Sequence, residues 1–225
     1  FGPVAIIFRM SGNWGKGAGL LVALVAGLVV WDAVRYDVVP KRLAPIEEGF
    51  IYRSGQISPR LIGSVLDDLE IDSVVSLVDY DPLRPEHVAE VSATRERGVR
   101  FLNFDMRGNG TTDFLDDYVF AVKEIHRARE VGERVLVHCA SGVRRAAGVS
   151  SVYRVLVRGD APDDVFEEEL DRYVGPFGLW GPRSAAESQI LPFLNQNMAY
   201  FAERLVEAGV IPVAPDPIPQ FTGAT

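Results

Sequence analysis

Residues 134–156 read RVLVHCASGVRRAAGVSSVYRVL. The opening RVLVHC is a short apolar run rich in valine, the pattern of a buried strand. RRAAGVSSVYRVLVRG reads as a helix that ends at Gly159. Between them lies the loop Cys139, Ala140, Ser141, Gly142, Val143, Arg144 and Arg145, and Cys139 is the only cysteine in 225 residues. A free cysteine is most simply a buried apolar filler, and Cys-x5-Arg arises by chance in many sequences. Here strand, cysteine, glycine, arginine and helix fall in one order with a common physical consequence. The amides of residues 140–145 can curl around a single centre at the start of the helix, a ready site for an anion. Gly142 permits the tight turn. Arg145 can reach back with a planar fork suited to two oxygens of a tetrahedral anion. The same field lowers the pKa of a thiol at the bottom of the bowl and makes it a nucleophile.

Working outward, the chain alternates. FIYRSG (50–55) reads as a strand, and SPRLIGSVLDDLE (58–70) as a helix with Ser58 as its cap and Pro59 at its first position. DSVVSLV (72–78) is a buried strand, and PEHVAEVSATRERG (85–98) a helix closed by Gly98. VRFLNFD (99–105) is a strand, and DFLDDYVFAVKEIHRARE (113–130) a helix with Phe114, Val119, Val122 and Ile125 along one side. This order predicts an α/β fold: a central, mostly parallel sheet of about four to five strands flanked by helices. After Gly159 the alternation stops. PDDVFEEELDRYV (162–174) and SAAESQILPFLNQNMAYFAERLVEAG (184–209) predict extra C-terminal helices joined by GPFGLWGPR, the first presenting a solvated acidic face. Pro192 should kink or start the second. IPVAPDPIPQFTGAT (211–225) reads as a loose proline-rich tail.

The N-terminus differs from the rest. Gly17 to Trp31 is 15 residues without a charge, flanked by Trp14, Lys16, Asp32, Arg35 and Tyr36. A membrane anchor, a cleaved signal peptide and a buried core helix all fit such a run. The anchor is the leading expectation: a single-pass helix in the inner or plasma membrane, with the catalytic domain outside the cytoplasm by the positive-inside rule. Phe1 in place of Met suggests an upstream piece. The organisation expected is an anchor and connector over 1–46, a catalytic domain over 47–210 including the C-terminal helices, and the tail over 211–225. The net charge of −8 argues against a nucleic-acid partner. One cysteine excludes an internal disulfide and a cysteine-built zinc site, and with only three histidines no metal or other cofactor is expected.

VHCASGVRR resembles the signature of the protein tyrosine and dual-specificity phosphatase superfamily: His-Cys, two residues, Gly, two residues, Arg, then Ser or Thr. GFIYRSGQISPRLI followed by IDSVVSLVD is similar to the opening of compact bacterial members, which often carry an N-terminal hydrophobic anchor. The likeness covers roughly residues 46–160. It implies hydrolysis of phosphate monoesters, on a phosphorylated protein or a small phosphomonoester, through a phosphocysteine. By the match, Cys139 is the nucleophile, Arg145 the phosphate-binding arginine and His138 the residue supporting the cysteine. Ala140, Ser141, Gly142, Val143 and Arg144 supply the cradle. Arg144 otherwise reads as a solvated helix-start residue, and Arg53 and Gln56 read as braces of the domain. Two departures stand out. The hydroxyl residue after the arginine is Ala146, which predicts a slow second step or a binding module without turnover. The general acid expected about 30 residues upstream falls on Asn109 or Gly108. Asp105 and Asp113 remain as candidates, with a strand end and a helix cap as their alternative roles. Sulfur transfer of the rhodanese type is disfavoured, because that loop usually places four residues before its arginine.

Overall fold

The computed structural model describes residues 14–171 and 190–222. Its strands are β1 (Ala44–Glu47), β2 (Ile51–Gly55), β3 (Ser73–Ser76), β4 (Arg100–Asn103) and β5 (Val135–Cys139). They form one sheet in the order β1-β2-β5-β3-β4. β1 pairs antiparallel with β2, and the other three pairings are parallel. β5 lies between β2 and β3 and is buried along its whole length. Its register sets Cys139 beside Gly55 and His138 beside both Ser54 and Ser76. The loop after β5 therefore emerges at the carboxyl edge of the parallel strands, where open α/β sheets place their ligand sites.

The helices are α1 (Trp14–Val38), α2 (Ile62–Asp68), α3 (Pro85–Arg97), α4 (Asp116–Glu130) and α5 (Arg145–Val152), then α6 (Pro162–Val165) and α7 (Ile190–Glu207). α5 runs on through a π-helical stretch, Tyr153–Arg158, to Gly159 in the left-handed conformation, and α6 runs on through a second, Phe166–Asp171. Side-chain alternation feeds two cores. Val75, Val135 and Val137 join Tyr118, Val122, Val149 and Phe201 on the face covered by α4, α5 and α7. Val74 and Leu136 join Ile62, Val65, Leu66 and Ala93 on the face covered by α2 and α3. Each such side chain removed from water contributes about 1.5–3 kcal/mol. The valine-rich strands have no polar face because neither face of the sheet centre meets water.

The structure departs from the sequence expectations in several places. Ser58 does not cap α2; its carbonyl accepts from the amides of Leu61 and Ile62 in a turn, and the helix begins at Ile62. Phe114 lies outside the α4 stripe and is exposed. Pro192 lies within α7, two residues from the edge of the described residues. Ala44–Glu47, read as part of the connector, is an edge strand with Ala44 and Ile46 buried. The tail does not hang free: Ile211 and Phe221 are buried, and Asn195 bonds both the amide and the carbonyl of Phe221, at 2.9 and 2.8 Å. The acidic face is only partly solvated, because Glu169 is 4% exposed and ion-paired with Arg53. Residues 175–183 and the predicted helix start at Ser184 lie outside the described residues, as does the sequence before Trp14.

The membrane-spanning anchor is not supported. Among the described residues no helix is long and apolar enough to cross a membrane. The physical reason is length and charge. The uncharged run of 15 residues rises about 22 Å against a hydrocarbon core of about 30 Å. Lys16, Asp32, Arg35 and Asp37 fall within the same helix.

Candidate active site

The site grows from the end of β5. Cys139 is 1% exposed. Its Sγ accepts a hydrogen bond from the Gly142 amide at 3.1 Å. Burial pushes the thiol up, but the amides of Ala146, Gly142 and Ser141 and the charge of Arg145 more than offset it, and the pKa is held below the ordinary thiol value. The thiolate is thus stabilised by aligned main-chain dipoles and one guanidinium, as the loop sequence predicts.

Gly142 makes this curl possible. Its φ is +76°, and a Cβ there would meet Gly55 N at 2.6 Å and the Ser54 carbonyl carbon at 2.8 Å. Both the conformation and the space demand glycine. Ala140, Ser141, Val143 and Arg144 are half-buried around the turn, while Arg145 and Ala146 are buried at the start of α5. The Arg144 carbonyl accepts from Gly148 N at 2.7 Å, opening the helix ladder.

Arg145 does more than face the loop. Its Nη1 donates to Leu77 O at 2.9 Å, after β3, and to Met106 O at 3.1 Å, after β4. Its Nε is buried without a partner among the described residues. One arginine therefore ties together the ends of three strands and keeps a donor in reserve. The loop over residues 105–113 is held down at a second point. Tyr118, buried in α4, donates its hydroxyl to Gly110 O at 2.5 Å, and a Cβ at Gly110 would lie 3.4 Å from the Cβ of Arg144.

The two candidate acids sit differently on that loop. Asp105 is exposed and adjoins Met106, whose carbonyl Arg145 holds. Asp113 is exposed and ion-paired with Arg107. It does not cap α4, which starts at Asp116 with Thr112 Oγ1 accepting from Phe114 N at 3.0 Å. Ala146 is 0% exposed and brings its amide, but no hydroxyl, to the sulfur.

Sequence reasoning missed Glu90. Glu90 on α3 is 2% exposed and lies 2.9 Å from Nε2 of His138. Burial pushes the His138 imidazole down, but the Glu90 carboxylate and the neighbouring cysteine raise it more, and its pKa lies above the ordinary value. The only signal in the sequence was an acidic residue on the inward side of a helix. Arg53, expected as a brace, is one: it donates to the Glu169 carboxylate, to Glu169 O at 3.1 Å and to Gly142 O at 3.4 Å. Gln56 bonds the loop by its backbone, its amide donating to Ala140 O at 3.3 Å.

No family model matches the chain, and no curated protein matches it. Solved structures do. The Siw14 catalytic core is similar with a TM-score of 0.56 at 15% identity, over 79% of this chain and 98% of that one. The core catalytic domain of the PP-IP phosphatase SIW14 from S. cerevisiae, in complex with citrate, gives 0.55 at 16% identity, over 79% and 99%. PTPMT1 gives 0.53 at 14% identity, over 74% and 98%. At these identities the likeness shows the fold, and at that level the resemblance read from the sequence holds.

Proposed function

We propose that the chain is a cysteine-dependent phosphatase of the protein tyrosine phosphatase superfamily, dual-specificity-like, acting on phosphate monoesters. The observation that carries this reading is the Cys139 sulfur, buried, held below its ordinary pKa and ringed by the amides of Ser141, Gly142 and Ala146. Cys139 Sγ attacks phosphorus while the amides and Arg145 hold the equatorial oxygens. The ester bond breaks, and the alcohol or phenol leaves with a proton from an aspartic acid. Water then attacks the phosphocysteine, releasing inorganic phosphate and restoring the thiolate. Asp105 suits the acid role better than Asp113, because its neighbour Met106 is tied to Arg145 while Asp113 is engaged by Arg107. The substrate class is a phosphorylated protein or a small phosphomonoester.

Hydrolysis of an aryl phosphate by the wild type, abolished in Cys139→Ser, is the expected result. No phosphate release from either protein, or equal release from both, overturns the reading. One observation favours a second reading: Ala146 offers no hydroxyl to the departing thiolate. A phosphate-binding module without turnover would bind vanadate or phosphate yet release no product.

A further inference from the structure

The segment before β1, read from sequence as a connector, reaches into the cysteine loop. Lys41 Nζ donates to Ala140 O at 3.0 Å, and Arg42 Nη1 donates to Ser141 O at 2.8 Å. With Arg53 on Gly142 O, three cations hold three successive carbonyls of the loop. We propose that Lys41 and Arg42 are positioning residues of the phosphate loop, aiming its amides at the sulfur from outside; this rests on Cys139 being the nucleophile.

The argument is peptide geometry. A trans peptide is planar, and its C=O points opposite to the N–H of the next residue. Drawing Ala140 O outward to Lys41 turns the Ser141 N–H inward. Drawing Ser141 O outward to Arg42 turns the Gly142 N–H inward, and this is the amide that lies 3.1 Å from Sγ. The two amides set by Lys41 and Arg42 are two of the three that hold the thiol down.

Local structure is bent to this purpose. Successive side chains of an extended chain point to opposite sides, yet Lys41 and Arg42 both reach one loop. Arg42 achieves this with φ +51°, a left-handed conformation unfavourable for a side chain of its size. Lys41 is itself fixed. Its carbonyl accepts from Gly55 N at 2.7 Å, and its ammonium lies 5.2 Å from the centre of the Tyr36 ring. Its stem crosses Gly55 so closely that a Cβ there would meet its Cδ at 2.8 Å. Two residues that look like linker charges are thereby part of the apparatus that ionises the cysteine.

Because the chain has one cysteine, alkylation by iodoacetamide reports Cys139 alone. Other groups act on the same thiol: Arg145 from α5, His138 on β5 with Glu90 of α3 behind it, and Tyr118 from α4. Since they are common to every variant, the comparison isolates the two cations. The full chain is compared with Lys41→Met, Arg42→Met and the double variant, for the pH midpoint of alkylation and for protection by inorganic phosphate. The double variant is expected to move the midpoint up by about one pH unit, a tenfold loss of thiolate at fixed pH below it. Phosphate protection is expected to weaken at least in step, and Lys41→Arg to restore most of both. A folded double variant, or folded single variants if the double does not fold, with wild-type midpoint and protection overturns the proposal. A wild-type midpoint at the ordinary thiol value would instead overturn the nucleophile assignment, and this inference with it.

Discussion

Glu90 Oε1 lies 2.9 Å from His138 Nε2, and both side chains are at most 2% exposed. A buried carboxylate is costly unless paired, so this pair favours the charged form of the residue next to Cys139. Against the cost of burial, the charge of the Glu90 carboxylate is the largest influence raising the imidazole.

Replacing Glu90 by Gln removes the charge that holds the imidazole up. In the wild type, the stability contributed by charged His138 is full below about pH 6.5 and is lost as pH rises through its raised folded value. The variant should lose this contribution at lower pH, so its gain in Tm on passing from pH 9 to pH 6 should be smaller. The alkylation midpoint of Cys139 should also rise, since a cation beside the thiolate is withdrawn. Melting curves and alkylation at several pH values check both shifts.

Asp105→Asn should lower kcat for an aryl phosphate by about 10²-fold or more, the usual worth of a positioned acid. The loss should be smaller for substrates with good leaving groups. Asp113→Asn, which removes only an exposed ion pair with Arg107, should stay within about twofold of wild type. A reversal of the two results would hand the acid role to Asp113.

Ala146→Ser supplies a hydroxyl at the position after Arg145. Rapid-quench kinetics should show a burst in the wild type and a faster steady state, by several-fold, in the variant. Unchanged steady-state turnover in a folded variant would mean that breakdown of the phosphocysteine does not limit the rate.

Gly142→Ala should be destabilised by about 1–3 kcal/mol in urea unfolding, from the left-handed φ and the contact with Gly55 N. Its alkylation midpoint should move upward as the amide bond to Sγ is lost. A variant as stable as wild type would show that the loop can re-form around a side chain.

What the sequence revealed and what it hid follow a physical division. β3 and β5 were legible because short runs rich in β-branched residues favour strands covered on both faces. The bowl was legible because cysteine, glycine and arginine fall within seven consecutive residues. β1 was not: Ala-Pro-Ile-Glu is a poor strand by composition, and only its edge position tolerates the proline. Glu169 read as solvated because its neighbours are acidic, yet two arginines draw it inward, Arg154 from 15 residues before it and Arg53 from 116 residues before it. Lys41 and Arg42 failed to register for the same reason, since their partners lie 99 residues on. Local patterns name elements; long-range pairing of polar groups is written nowhere in them.

Asn195 also reframes the C-terminal segment. By donating to Phe221 O and accepting from Phe221 N, one amide side chain counterfeits the two-way pairing of a neighbouring strand for a segment whose prolines cannot build a ladder. Thr222 adds a second hold, donating its amide and its hydroxyl to Asp163 at 3.1 and 2.7 Å, so residues 221–222 are clasped from two helices.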